Sequence, residues 1–470
     1  MKQVVVNTDL LDRPFKGTEG INQICFVGIG GIGMSALARF FLERGVPVSG
    51  YDKTRTALTV QLEKQGMNIH YEDQIENVDK EATVVVYTPA IPGDHQELNW
   101  YKKNSYTIWK RSDLLQRITD SSLNICIAGT HGKTTTSTLV AHILRDSQMG
   151  CNAFLGGIAS NYETNYWSSM TNCCVVEADE YDRSFLKLKP QIAVITAMDP
   201  DHLDIYGTAA EMEEAFLQFS SLVARDGLLI YKKGIKRATE LRAQQQCSYH
   251  LNDTMADCYA TDLKVESGNY HFSVHVCGTT LAGFELSMGG LHNVENTVVA
   301  VSIASMLGVE ESKIKKAVAS FRGVQRRFEV IWKDANRVWI DDYAHHPAEL
   351  QALITGVRSL YGTKKCTIIF QPHLYTRTRD LAKEFGEALS GADEVILLPI
   401  YPARELPIEG VSSELIKQNI NNKPVSLFDT NQVLNWFTEK MKNENEQNII
   451  VTAGAGDIDQ LLPTMKDIIR

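Results

Sequence analysis

Short apolar runs ending in polar or glycine-rich loops recur along the chain, most of them followed by a stretch with helical spacing. Ile24–Val27, Val46–Tyr51 and Thr83–Tyr87 form a first group, with a helix predicted over Met34–Glu43. A second group holds Ile125 and Ile127, Val175 and Val176, and Ala193–Thr196. Leu139, Val140, Ile143 and Leu144 are spaced to share one helix face, and a helix is predicted over Glu211–Val223. Thr367–Phe370, Glu394–Pro399 and Asn448–Thr452 form a third group, after the strand-like runs Val330–Trp332 and Val338–Ile340. Short buried strands alternating with helices predict α/β units built on parallel sheets. The stretch 227–288 has a different period. Tyr270, Phe272, Val274 and Val276 alternate with His271, Ser273 and His275, as in a half-exposed strand. It reads as an antiparallel sheet added to the central unit, with the two histidines on a solvated face rather than on a metal. An apolar helix, Thr297–Leu307, follows Gly290–Asn296. The pattern divides the chain into 1–120, 121–322 and 323–470.

The loops carry the chemistry. The short apolar run of Ile125 and Ile127 leads into Gly129-Thr130-His131-Gly132-Lys133-Thr134-Thr135 and then a helix. Strand, glycine loop and helix with Gly-Lys-Thr at its mouth suit nucleotide phosphates. Backbone N–H groups and the helix dipole favour anionic oxygens, lysine neutralises the outer phosphates, and threonine can ligate Mg2+. Ile127 stands where the common P-loop template has its first glycine. Glu177 and Asp179 end the next strand, and Asp199-Pro200-Asp201-His202-Leu203-Asp204 follows the one after. Carboxylates and imidazole at consecutive strand ends after a P-loop favour a metal site. Near the N-terminus Gly28, Gly30 and Gly33 fit G-x-G-x-x-G with Gly31 between them, and Asp52 ends the second strand. Thr88 and Ala90 lie on the loop after the third. This Rossmann-like pattern holds NAD(P), holds a nucleotide-diphosphate substrate, or is a tightly packed helix start without ligand. Asn293 and Asn296 either cap the helix that follows or aim side-chain amides at a nucleotide. In the third unit, imidazole and guanidinium groups gather at strand ends: Asp342-Tyr343-Ala344-His345-His346 and Arg377-Thr378-Arg379.

Composition narrows the field. The 470 residues are 44% apolar and 22% charged, with a net charge of −10, which argues against a nucleic-acid partner. No run approaches the length that spans a bilayer, and the start, Met1 to Arg13, lacks a secretory apolar core. Nine cysteines without CxxC spacing, including the adjacent Cys173 and Cys174 in an apolar run, read as reduced thiols of a cytoplasmic protein.

Nine segments taken in order resemble the Mur ligases of peptidoglycan synthesis. They are GIGGIGMSALA, AGTHGKTTT, EADEYDRSF, DHLDIYG, GLHNVEN, RRFE, DDYAHHPAE, FQPHLYTRTRDL and GAGDI. The resemblance spans nearly the whole chain and is greatest to the alanine-adding branch. It implies a three-domain α/β enzyme: a Rossmann-like domain for the UDP-sugar, a central P-loop ATPase domain, and a Rossmann-like C-terminal domain for the amino acid. It further implies ATP and Mg2+, with UDP-N-acetylmuramate and L-alanine joined through an acyl phosphate, in a monomer or weak homodimer. By residue, Gly129 to Thr135 would hold ATP, with Lys133 on the phosphates and Asn293 and Asn296 on adenine or phosphates. Thr134, Glu177 and His202 would ligate Mg2+. Arg327 and Asp342 would reach the nucleotide from the third domain as it closes. Tyr343, His345, His346, Arg377 and Arg379 would orient alanine, with Lys133, Glu177, His202, Arg327 and His346 as the catalytic set. Gly28, Gly30, Gly31, Gly33, Asp52, Thr88 and Ala90 would receive the UDP-sugar. Two departures bear on specificity. Branches that add later amino acids carry a modified lysine where this chain has Phe216, and Leu374 stands where the alanine branch commonly has arginine. A tripeptide-recycling ligase, a nicotinamide dehydrogenase and a non-catalytic ATP switch are the competing functions.

Overall fold

The computed structural model describes residues 6–181, 183–199, 203–362, 364–403, 405–442 and 447–469. Its residues group into two compact units. One comprises 1–262, 272–284 and 295–321; the other comprises 263–271, 285–294 and 322–470.

The first unit contains a parallel five-stranded sheet built from β1 (Ile24–Val27), β2 (Val48–Tyr51), β3 (Asn68–His70), β4 (Val84–Tyr87) and β5 (Ile108–Lys110). Their order is β3-β2-β1-β4-β5, so the loops after β1 and β4 leave adjacent strands at the same sheet edge. That edge is where an open α/β sheet takes its ligands. The Ile32–Glu43 helix follows β1 and buries Met34, Leu37, Phe40 and Phe41. Phe40 packs on Phe154 and Tyr166 at ring distances of 5.6 and 6.2 Å. Beside it the buried Asn165 accepts from Arg39 and donates to the Ile32 carbonyl and to Ser35 Oγ. Burial disfavours the charge on Arg39, and the amide oxygens of Gln61 and Gln65 complete its partners. This polar lock fixes the helix that starts at the first glycine loop against the hairpin bearing Asn165.

The second sheet has ten strands: β6 (Leu123–Ala128), β7 (Asn152–Ala159), β8 (Thr164–Trp167), β9 (Cys173–Glu177), β10 (Ile192–Ile195), β11 (Leu228–Lys232), β12 (Gln245–His250), β13 (Cys258–Glu266), β14 (Asn269–Val276) and β15 (Thr279–Leu286). The order is β15-β14-β13-β12-β11-β10-β6-β9-β7-β8. Strands β6 and β9–β12 are parallel, and β6 is wholly buried, hence its unbroken apolar pattern. The turns Ser267-Gly268 and Cys277-Gly278 have positive φ at both residues and join β13, β14 and β15 as hairpins. The alternation read in the sequence is the β14 strand. Its polar side is less open than expected, because Ser273 is buried.

The second unit holds a six-stranded sheet of β16 (Glu329–Lys333), β17 (Val338–Asp342), β18 (Lys365–Phe370), β19 (Glu394–Leu397), β20 (Val425–Leu427) and β21 (Asn448–Ala453). Its order is β16-β17-β21-β18-β19-β20, with only β16 antiparallel. Trp339, Ile369, Ile450 and Phe437 build the core on one face. The helix expected at Thr297 begins earlier, spanning Leu291–Met306.

Candidate active site

The β6 strand delivers Gly129 at φ +130°, and a Cβ there would stand 2.1 Å from Thr196 Oγ1 and 2.7 Å from the Ala197 nitrogen. Only glycine lets the loop pass so close to β10. Gly132, at φ +81°, then starts the Lys133–Asp146 helix without a side-chain cap, leaving first-turn N–H groups available to an anion. Lys133 Nζ donates to the Gly129 carbonyl and to Glu180 Oε1, both at 2.7 Å. Glu180 is fully buried, and burial raises its carboxyl above the usual range while Lys133 pulls it down. The Thr134 hydroxyl donates to Glu177 Oε1 at 3.0 Å, and the Gly156 N–H donates to Glu177 Oε2 at 3.0 Å. Thr196 Oγ1 donates to the His131 carbonyl and the Asp199 N–H donates to Thr130 Oγ1, so both flanks of the loop are anchored. His131 and Asp199 are exposed, 3.6 Å apart. Asn296 Oδ1 would lie 3.0 Å from a Cβ on Gly132, so that amide stands at the loop. Thr135 is nearly buried beside Thr134. His202 lies outside the described residues.

At the first sheet, a Cβ on Gly28 would meet Thr88 Cγ2 at 2.8 Å, and one on Gly30 would meet Asp52 Oδ2 at 2.7 Å. Asp52 accepts from the Gly30 and Thr54 N–H groups, which makes it a brace for the glycine loop. Gly31 caps the Ile32–Glu43 helix without a side-chain bond. Ala90 is exposed on the loop after β4. Gly33 faces Arg111, whose Nη1 would lie 2.3 Å from an added Cβ. Arg111 approaches Asp179 at 3.8 Å. A cleft of about 140 Å³ is lined by Ile32, Gly33, Arg111, Phe154, Gly156, Glu177 and Asp179. It joins the end of the first glycine loop to the carboxylate beside Thr134.

Three of these residues escaped the sequence reading. Glu180 had a signal, as a second acid in the same strand-end loop as Glu177. Arg111 and Gly156 had none, being single residues that only the packing of β5 and β7 brings to the cleft.

In the second unit, Arg326 is structural. Its guanidinium reaches Asp341 and Asp459, each at 3.3 Å, and donates to the Gly454 carbonyl. Arg327 beside it is exposed. Asp342 accepts from the Phe328 and Ala344 N–H groups at 2.6 and 2.7 Å, so its carboxylate shapes the turn that presents Arg327 and Tyr343. Burial pushes its carboxyl up to about 6 against those bonds and the Arg327 charge. Glu349 accepts from the His345 and His346 N–H groups at the mouth of the Pro347–Tyr361 helix. Tyr343 and His345 rings meet at 5.3 Å, and His373 lies 6.0 Å from His345. Arg377 donates to the His345 carbonyl at 3.5 Å, whereas Arg379 pairs with its neighbour Asp380 at 2.7 Å. Tyr343, His345, His346 and Arg377 therefore gather at one sheet edge, and Arg379 is held by another partner. Leu374 takes φ +72°, a strained conformation for a leucine, at the start of the helix bearing both arginines. Asn293 is the third residue of its helix rather than its cap, and its amide donates to the Gly289 carbonyl at 2.7 Å.

Three family descriptions match in succession: the Mur ligase catalytic domain over 23–122, the Mur ligase middle domain over 127–304, and the Mur ligase glutamate ligase domain over 326–456. The chain is 44% identical over 458 residues to a UDP-N-acetylmuramate–L-alanine ligase of Porphyromonas gingivalis, covering 96% of this chain and 99% of that one. It is 45% identical over 456 residues to the enzyme of the same name from Parabacteroides distasonis, covering 96% and 97%. Among solved structures, the UDP-N-acetylmuramate–alanine ligase of Thermotoga maritima superposes with a TM-score of 0.79 at 27% identity, covering 95% and 98%. A murein peptide ligase from Psychrobacter arcticus shares the fold, with a TM-score of 0.65 at 21% identity over 95% and 98%.

Proposed function

The chain belongs to the Mur ligase family, and on that premise we propose that it joins L-alanine to the carboxylate of UDP-N-acetylmuramate, converting ATP to ADP and phosphate. The observation that supports this reading is a cleft lined by Gly33, at the end of the first glycine loop, and by Glu177, which accepts from the Thr134 hydroxyl of the second. A carboxylate resists attack by an amine until its oxygen becomes a leaving group. Transfer of the ATP γ-phosphoryl to the muramate carboxylate gives an acyl phosphate. The alanine amine then adds to its carbonyl, and phosphate departs from the tetrahedral adduct.

Lys133 and the first-turn amides of its helix hold the transferring phosphoryl group and offset its negative charge. Glu180 positions the lysine by fixing Nζ from the buried side. Thr134 and Glu177 offer two oxygen donors 3.0 Å apart, the hard-ligand chemistry that suits Mg2+. Those two residues, with His202, would hold the ion, which when bound neutralises charge on the phosphates. Gly28 to Gly33 and Thr88 receive the diphosphate, with Arg111 lining the cleft between Gly33 and Asp179. Tyr343, His345, His346 and Arg377 orient alanine, with Arg377 as carboxylate partner in place of the arginine absent at Leu374. Arg327 and Asp342 serve the nucleotide. The reaction belongs to cytoplasmic peptidoglycan precursor synthesis, and through it to cell-wall biogenesis, cell shape and division. Consistent with that compartment, the nine cysteines are free thiols. Among the described residues, no helix is long and apolar enough to cross a membrane.

Phosphate release with UDP-N-acetylmuramate, measured against a panel of amino acids and the tripeptide, tests this reading. Release that requires L-alanine supports it. Release that requires the tripeptide favours the recycling ligase, and release independent of both substrates favours an ATP switch.

A further inference from the structure

Cys247 on β12, Cys258 at the start of β13 and Cys277 in the β14–β15 turn are far apart in sequence, yet their sulfurs converge. The Sγ–Sγ distances are 3.5 Å for Cys247–Cys258, 3.6 Å for Cys247–Cys277 and 4.0 Å for Cys258–Cys277. These are too long for a disulfide, whose sulfurs stand about 2.05 Å apart. They match the edges of a thiolate tetrahedron: zinc–sulfur bonds of about 2.3 Å imply sulfur–sulfur edges of about 3.8 Å. Among the described residues, no other group of three histidine, cysteine or acidic side chains is close enough to share one ion.

A second observation concerns the turn. Cys277 and Gly278 form a two-residue hairpin turn with φ +46° and +101°. Asparagine, aspartate or glycine ordinarily fills the first position, because other side chains are strained there. The companion turn has Ser267 at φ +53° before Gly268. At Cys277 the strained residue instead directs a thiol at two others. Its backbone is tied in as well, since the Cys277 N–H donates to the Asp257 carbonyl at 2.9 Å.

The place in the fold suggests what the cluster does. Strand β13 pairs with β12 at only two register positions, Tyr249–Cys258 and His250–Tyr259. This short seam joins the parallel part of the ten-stranded sheet to its hairpins. The three thiols come from the two strands at the seam and from the far turn. His275 is nearby but engaged, with Nδ1 at 3.1 Å from Thr280 Oγ1 and Nε2 accepting from the Gly278 N–H. Cys277 is partly exposed, which leaves room for solvent at a fourth position.

We propose that Cys247, Cys258 and Cys277 form a structural site for a thiophilic divalent cation of the Zn2+ class, with a solvent molecule as fourth ligand, that staples the β12–β13 seam. Binding releases the thiol protons to solvent and involves no redox step. Three thiolates and soft-donor chemistry separate it from the thiol-free site proposed for Mg2+ near Thr134.

Cobalt titration of the reduced, metal-free full-length protein under anaerobic conditions tests the proposal. One equivalent of Co2+ should give a thiolate-to-metal charge-transfer band, lost when Zn2+ is added. Oxygen and imidazole ligation at the nucleotide site cannot produce that band, which needs thiolate sulfur. Cys277→Ser lies on a turn and leaves the core intact; it should weaken binding by more than the roughly 10–100-fold that outer-shell changes cost. Cys366→Ser, in the other unit, should leave the band unchanged. No band at one equivalent, a band unaltered in Cys277→Ser, or two of the three thiols found as a disulfide in the purified protein would each overturn the proposal.

Discussion

Lys133 illustrates how one side chain can serve both fold and chemistry. Its ammonium neutralises Glu180, a carboxylate with no exposed surface, and also occupies the phosphate loop. Lys133→Ala should therefore abolish phosphate release. Glu180, left without its cation, should take up a proton rather than stay charged in the interior. Affinity for the UDP-sugar, whose proposed contacts lie at the first sheet, should change by less than about 2-fold, since a factor of two is under 0.5 kcal/mol. Calorimetric titration with UDP-N-acetylmuramate beside a turnover assay separates the two effects. Near-normal turnover would show that the lysine has only a structural task. Asp341 offers a pH-dependent counterpart. Burial pushes its carboxyl up to about 7, against the pull of Arg326 and Thr452. A folded-state value above that of the unfolded chain means that this carboxyl's contribution to stability is fully present below about pH 4. That contribution is lost as pH rises through about 7, with a slope of up to one proton. Asp341→Asn should flatten that slope in denaturant midpoints taken from pH 4 to 8; an unchanged slope would mean the carboxyl titrates normally.

At the scale of elements, the Ala209–Ser221 helix bears on the choice between family branches. It is capped by Thr208 Oγ1, which accepts from the Glu211 N–H, and it buries Phe216 completely. Phe216 packs edge-on against Phe185 with ring centroids 5.3 Å apart. A lysine in that apolar setting has no partner, so Phe216→Lys should cost about 3–5 kcal/mol of stability, as unpaired buried charges do. Phe216→Leu should cost about 1 kcal/mol. Thermal unfolding of the two variants checks this. A stable Phe216→Lys protein with altered Mg2+ dependence would instead show a latent metal ligand. The elements also show what the sequence could and could not reveal. Strand runs such as Ile125–Ile127 were legible because burial on both sheet faces leaves an unbroken apolar pattern. The start of the Leu291 helix was not, because Leu291-His292-Asn293 reads as a capping turn until its backbone bonds are known. The thiol cluster left no spacing signal: its members are separated by 11 and 19 positions, and only the fold of the hairpins brings them together.

Across the whole molecule, the two glycine loops were evident from the sequence, but the cleft running from Gly33 to Glu177, the partner of Thr134, was not. Arg111 reaches it from the start of the helix after β5 and Gly156 from β7, by packing that no local pattern encodes. Family membership supplies the substrates, and the cleft supplies a reason why the sugar carboxylate and the phosphoryl donor should react there. On the proposed mechanism, that carboxylate is activated as an acyl phosphate before alanine adds. This step is tested most directly with UDP-N-acetylmuramate carrying ¹⁸O in its carboxylate, together with ATP and L-alanine. Each phosphate released should carry one labelled oxygen, and each turnover should form one amide. Unlabelled phosphate, or labelled product without amide, would contradict this mechanism.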